Sequence, residues 1–268
     1  MNRIIGDRKE KSALDEMEEV ARQFNEECNE EERRKREEQE RIKKAKEEKP
    51  KSERAKAPPH IFPVKAEEPV TDAEMVEGNW ASCILKLRKR NLEIATAGQI
   101  AELRIKHGRD SAYYQNGGWV AENFNYLPNG DILVASQDYN PHLKYAKEAT
   151  KAHIASEEFY LDDKIVAELL EAEKKGSVLL LKRKDVSDKI SVDSFGKEPL
   201  TAFLGWGKDY GKFLNSCEIK EVSLYVADKQ KQAFSRALWA YDLYSNSALS
   251  GSSSLNGNSG RAFGVRSS

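Results

Sequence analysis

The chain has 268 residues, 39% hydrophobic and 33% charged, with a formal net charge of -1. A charge that nearly cancels gives no electrostatic bias toward nucleic acid or an anionic membrane, and neither is expected as a partner. No stretch reaches the ~20 apolar residues of a membrane span, and residues 1–7 turn acidic without the apolar core of a signal peptide, so the chain is expected to be cytoplasmic when made.

The charge is not evenly spread: most of it precedes residue 78, and most of the aromatic residues follow. This divides the chain into a charged helical arm (1–49), a linker (50–78) and an α+β ligand-binding domain (79–268). In the arm, residues 8–49 read as one long helix. Leu14, Met17, Ala21, Phe24 and Cys28 repeat at spacings of three and four and form one stripe. Beyond Asn29 the stripe fades into Glu, Arg and Lys, whose opposite charges three and four apart support a helix on their own. Two readings stay open: a coiled coil that joins copies into a homo-oligomer, or a solvated single helix. Pro50 ends the pattern, and the stretch to Gly78, with Pro58, Pro59, Pro63 and Pro69, reads as an extended linker.

In the domain, a first strand or helix carries Trp80, Ile84, Leu85 and Leu87. Thr96 is placed to cap a helix whose apolar face is Ile100, Ala101, Leu103 and Ile105, stopped by Gly108. Residues 119–127 and 132–136 are strand-like runs around Pro128-Asn129-Gly130-Asp131, whose Asn-Gly suits a hairpin turn. Asn140-Pro141 opens a helix expected to run to about Glu158. Another starts at Asp162 or Asp163, with Ile165, Val166, Leu169 and Leu170 inward, and ends at Gly176. Residues 178–181, 200–206 and 222–226 read as strands, with a short helix around 210–214. Irregular interleaving with hairpins favours α+β over a doubly wound sheet.

The chemical motifs fail one by one. Gly205-Trp206-Gly207-Lys208-Asp209-Tyr210-Gly211 has its third glycine one place late for a dinucleotide loop, and Lys208 lacks the Ser/Thr neighbour of a phosphate loop, so a Gly-rich turn is expected. His60, His107, His142 and His153 never fall at i, i+4 and are read as surface or capping residues. Cys28, Cys83 and Cys217 share no metal-ligand spacing and read as buried, reduced thiols. The acidic pairs Glu157-Glu158 and Asp162-Asp163 are explained by the dipole of a helix N-terminus. No metal and no cofactor are expected. If calcium did bind, Asp131, Asp138 and Asp242 would be the acids to suspect.

The segment from Phe234 to Ser268 differs from an ordinary Ser/Gly/Asn tail. Leu243, Leu249 and Leu255 recur evenly through it, and residues 260–266 alternate like a strand rather than trailing off. Arg236-Ala237-Leu238-Trp239, a loop rich in Asn, Ser, Gly and Tyr, and the closing Gly264-Val265-Arg266 resemble the C-terminal end of C-type-lectin-like domains. They are most similar to the variable proteins of diversity-generating retroelements. In that family, mutation at template adenines turns Asn codons into a scatter of Ser, Gly, Tyr, Asp and Asn on a fixed scaffold. The resemblance implies a non-enzymatic ligand-binding protein. Its contact residues would be Tyr241, Asp242, Tyr244, Asn246, Ser252, Ser253, Ser254, Asn256 and Asn258, and its partner a protein or surface ligand. Tyr, Ser, Gly and Asn are also the residues that give paratopes large contact and adaptable hydrogen bonding. The alternative is a structural or interaction protein acting through the arm, with the tail an inert, disordered extension. An enzyme of the lectin-like formylglycine-generating type would need positioned cysteines, and Cys83 and Cys217 stand apart.

Overall fold

The computed structural model describes residues 72–155, 157–243, 247–251 and 260–266. The arm helix (8–49) and most of the linker lie outside the described residues. Those described form an α+β domain, in which eleven strands join one twisted sheet: β1 (Glu74–Glu77), β2 (Glu93–Ile94), β3 (Gly118–Tyr126), β4 (Ile132–Ala135), β5 (Phe159–Tyr160), β6 (Val178–Leu181), β7 (Lys189–Ser191), β8 (Glu221–Tyr225), β9 (Phe234–Ala240), β10 (Ala248–Ser250) and β11 (Arg261–Val265). The main path runs β1-β11-β3-β9-β10-β8-β7, with β2 on β11, β5 on β9, and β4 on β3 carrying β6. Most pairs are antiparallel, but β11 lies parallel to β3 and β10 parallel to β8.

β3 is the spine, buried along its whole length. Its register against β9 shifts between Trp119 and Asn123. There the backbone turns to other partners: the Ala121 amide donates to Ala95 O at 3.0 Å, and the Glu122 carboxylate accepts from the Ala97 amide. Asn123 and Asn125 would be costly in so dry a strand. They are satisfied by each other, by Ser235 Oγ and by Leu133 O.

Helices cover this sheet, and their caps follow the sequence closely. The first apolar run is a helix, α1 (Trp80–Lys89), capped by Asn79. It lays Trp80, Ile84 and Leu87 against Trp119, Ala237 and Ala262. Just ahead of it, β1 lies within the stretch read as linker. Its only buried side chain is Val76, so its composition looks polar although its backbone belongs to the sheet. Helix α2 (Ala97–His107) has the expected capping box, Thr96 with Gln99, and stops at Gly108. Its inward face differs from expectation by one position: Ile105 is exposed, and Arg104 is buried in its place. A one-turn helix, α3 (Ala112–Gln115), leads into β3.

The hairpin stands where the Asn-Gly turn places it, with Asn125 opposite Leu133 and Tyr126 opposite Ile132, and Gly130 at φ +91°. After it, Asn140 caps the His142 amide, but the helix expected to reach Glu158 breaks at Tyr145 into α4 (Pro141–Lys144) and α5 (Ala146–Ile154). Helix α6 (Asp163–Glu173), capped by Asp162, buries Ile165, Leu169 and Ala172 against β4 and β6, while Leu170 turns outward.

Residues 200–206 are not a strand. They hold α7 (Pro199–Phe203), with Glu198 as cap and Pro199 in its first turn. The Gly205–Gly207 turn then leads into α8 (Lys208–Ser216), so it joins two helices rather than following a strand. His142 is also corrected: it is fully buried between the rings of Trp80 and Phe159, at 5.4 and 5.2 Å. Cys83 and Cys217 are buried free thiols, as expected, whereas Cys28 lies outside the described residues.

Candidate ligand-binding surface

The strand run 234–240 is β9, and beside it β10 and β11 form from the Ser/Gly-rich segment. Leu243, Leu249, Phe263 and Val265 are all buried, so the expected anchors are anchors; Leu255 lies outside the described residues. β10 is a wedge between two strands: Ser250 stands opposite Trp239 of antiparallel β9 and opposite Tyr225 of parallel β8. Directly paired residues share a face. Tyr225, Ser250 and Trp239 therefore form one row across three strands, and Trp239 continues it to Trp119 of β3.

The two faces of these strands have different fates. Leu224, Leu238, Ala240 and Leu249 point into the main core with Phe124 and Tyr126. On the other face, α1 and its neighbours cover Trp119, but Trp239 is half-buried and Tyr225 is 45% exposed. Tyr241, two residues beyond Trp239, joins this row. Its ring lies 6.3 Å from those of both Trp239 and Tyr225, edge-on to each, and Trp239 stands edge-on to Trp119 at 5.0 Å. These are favourable arrangements for aromatic quadrupoles, and they hold the ring edges at fixed angles.

The described residues that flank 244–246 and 252–259 are pinned. The Ser223 amide donates to Ser247 O, the Gly251 amide to Tyr225 O and the Gly78 amide to Gly260 O, at 2.8–3.0 Å. The Tyr126 hydroxyl, whose ionisation burial strongly opposes, donates to Gly251 O at 2.8 Å. The two glycines are required by close approach. A β-carbon on Gly251 would lie 2.2 Å from the Phe124 ring, and one on Gly260 1.8 Å from the Trp119 ring.

Of the nine contact residues expected, Tyr241 and Asp242 are described, both half-buried and adjacent to the row. Tyr244, Asn246, Ser252, Ser253, Ser254, Asn256 and Asn258 lie outside the described residues. Tyr225 was not among the expected contacts, nor was Trp239, which the resemblance had assigned to the scaffold; Ser250, 2% exposed, is the buried link of the row. Tyr225 had a usable signal, an aromatic at the solvent phase of a strand whose Val222 and Leu224 point inward. Among the described residues no group of three or more His, Cys, Asp or Glu is placed to hold a metal ion. Asp131 is instead held by Lys182 Nζ at 2.8 Å and the Arg183 amide at 3.1 Å.

With this geometry the comparison with solved structures is informative. The domain superposes with a TM-score of 0.59, at 15% identity, on a structure from Nanoarchaeota, reported as accommodating massive sequence variation by the C-type lectin fold; the match covers 73% of this chain and 98% of that one. This domain has the C-type lectin fold. The sequence matches no family model and no curated protein. Among the described residues, no helix of this lectin-fold domain is long and apolar enough to cross a membrane.

Proposed function

We propose that this lectin-fold protein is a non-enzymatic binder of the diversified kind, whose contacts are Tyr241, Asp242, Tyr244, Asn246, Ser252, Ser253, Ser254, Asn256 and Asn258, together with the exposed Tyr225 and the half-buried Trp239. The observation that carries the reading is the alternation of anchors and contacts in one short stretch. Leu243, Leu249, Gly251, Gly260 and Phe263 are committed to packing or close approach, whereas Tyr241, Asp242, Tyr244, Asn246, Ser252, Ser253, Ser254, Asn256 and Asn258 stand among them in sequence. The superposed structure accommodates massive sequence variation by the same fold, which supports carrying that property to this chain. The aromatic row supplies rigid contact area at low entropic cost, and the Ser and Asn positions supply adaptable hydrogen bonds. A protein or other surface-displayed ligand suits such a surface better than a small molecule in a pocket.

The test is genomic. A near-copy of the 3′ end of the gene, differing only where the copy has adenine and accompanied by a reverse transcriptase gene, is the expected finding. Finding neither in a complete genome sequence removes the diversified reading and leaves a fixed binder on the lectin fold.

A further inference from the structure

Arg104 is a cation where the helix pattern calls for an apolar residue. It is 2% exposed, and all three of its hydrogen-bond acceptors are uncharged. Nε donates to Tyr113 O at 2.8 Å, Nη1 to the Tyr210 hydroxyl at 2.9 Å and Nη2 to Tyr241 O at 2.7 Å. Burying a guanidinium without a carboxylate is costly, and satisfying it with neutral acceptors only offsets that cost. What the arrangement provides is geometry, because a planar fork fixes several acceptors at once as a flexible ammonium does not. The acceptors come from three elements: α3, α8 and the stretch just after β9.

The main chain of the stretch 240–243 is held elsewhere too. The Tyr241 amide donates to Ala248 O at 2.9 Å, and the Leu243 amide to Tyr114 O, also at 2.9 Å. A β-carbon on Gly117 would lie 2.8 Å from Ala240 O and 3.1 Å from the Asp242 nitrogen, so the backbone of β3's approach runs directly against this stretch. Arg104 fastens the Tyr113 carbonyl of α3, and the next carbonyl of α3 fastens Leu243.

From this we infer that Arg104 is the positioning residue of the candidate surface: it fixes the backbone at 241–243 from inside the domain, so that the Tyr241 side chain can be exchanged without moving that backbone. The inference rests on the reading of this surface as the binding site, but it is tested without a ligand. Hydrogen exchange of the full chain at single-amide resolution compares the wild type with Arg104→Met, Tyr241→Ser and Tyr210→Phe. The reference amides are Ala121 and Leu127, bonded to Ala95 O and Asp131 O.

Loss of a charge-assisted bond predicts that Arg104→Met accelerates exchange at Tyr241 and Leu243 by about tenfold or more relative to the reference amides. Tyr241→Ser and Tyr210→Phe should leave these amides within about threefold of wild type, since the first keeps the carbonyl and the second, though it removes the Nη1 acceptor, keeps the Nη2 bond to Tyr241 O. If Arg104→Met does not fold, Arg104→Lys is measured instead, with the same selective loss expected because lysine lacks the fork. Uniform acceleration across all amides would overturn the inference, as would an equal loss from Tyr241→Ser. Absence of the genomic repeat would remove diversification but leave these exchange rates, and hence the clamp, unaffected.

Discussion

At the scale of single residues the domain separates positions that cannot change from positions that can. Gly260 belongs to the first kind: an added methyl would lie 1.8 Å from the Trp119 ring. Overpacking of this sort costs about 1–3 kcal/mol or more, so Gly260→Ala should lower the urea midpoint sharply. Tyr241→Ser, which gives up two edge-on ring contacts at a half-buried site, should cost no more than about 1 kcal/mol. Equal losses in the two melts would contradict the division into anchors and contacts. A second prediction concerns Cys83 of α1, whose thiol is pushed up to about 12 by burial beneath β1. A raised acid contributes stability that is fully present below the unfolded value near 9 and is lost as pH rises from there through 12. Native protein should therefore resist alkylation at Cys83 at pH 8, where the unfolded chain reacts. This scale was also the least legible in the sequence. Phe263 and Val265 were readable from alternation, but Gly260 and Arg104 were not. Helical periodicity assigns a face only to within a residue, and Ile105 satisfied the same pattern while pointing to solvent.

At the scale of elements, caps and turns were legible because they are local. Thr96 with Gln99, Asn129-Gly130, Asn140-Pro141 and Asp162 each satisfy their own backbone groups, so a few adjacent residues decide them. The run 200–206 was misread because a short apolar stretch has no period, and the deciding pair, Glu198-Pro199, lay just outside it. The pairing of β1, β10 and β11 is set by partners far along the chain, which no local pattern reveals. The hairpin end makes a pH prediction. Asp131 is held below the ordinary carboxylate value, first by the Lys182 ammonium and also by the Arg183 amide. A depressed acid contributes stability above 3.8, lost as pH falls through its lower folded value. Asp131→Asn should therefore cost about 1 kcal/mol at pH 7, discounted for the half-exposed lysine, and the difference should close below pH 3.8. β11 gives the stronger test. It lies between β1 and β3 with Phe263 and Val265 buried, each contributing about 1.5–3 kcal/mol. A chain ending at residue 259 should thus lose several kcal/mol, and a melt matching the full length would show that β11 does not close the sheet.

At the scale of the molecule, the question is where the folding unit begins. Composition placed the boundary near Asn79, where apolar residues become frequent. The sheet begins earlier. β1 pairs with β11 along its whole length, Glu74 opposite Gly264 through Glu77 opposite Arg261, and Val76 is 3% exposed. Ahead of the strand, the Tyr113 hydroxyl donates to the Asp72 carboxylate and accepts from the Ala73 amide, so even the approach to β1 is fastened to α3. Removing residues 72–78 would expose the edge of β11, the strand whose other edge supports β3 beside the aromatic row. Such an unpaired edge both loses its hydrogen bonds and invites association between copies. A fragment 72–268 should accordingly melt within a few degrees of the full chain and stay dispersed. A fragment 79–268, beginning where composition alone would cut, should melt lower by roughly ten degrees or aggregate. That expectation follows from several kcal/mol lost, at about 2–4 °C per kcal/mol for a domain of this size. Calorimetry and light scattering on the two fragments decide it. If 79–268 melts like 72–268, β1 is an accessory to the sheet, and the edge of β11 needs no cover.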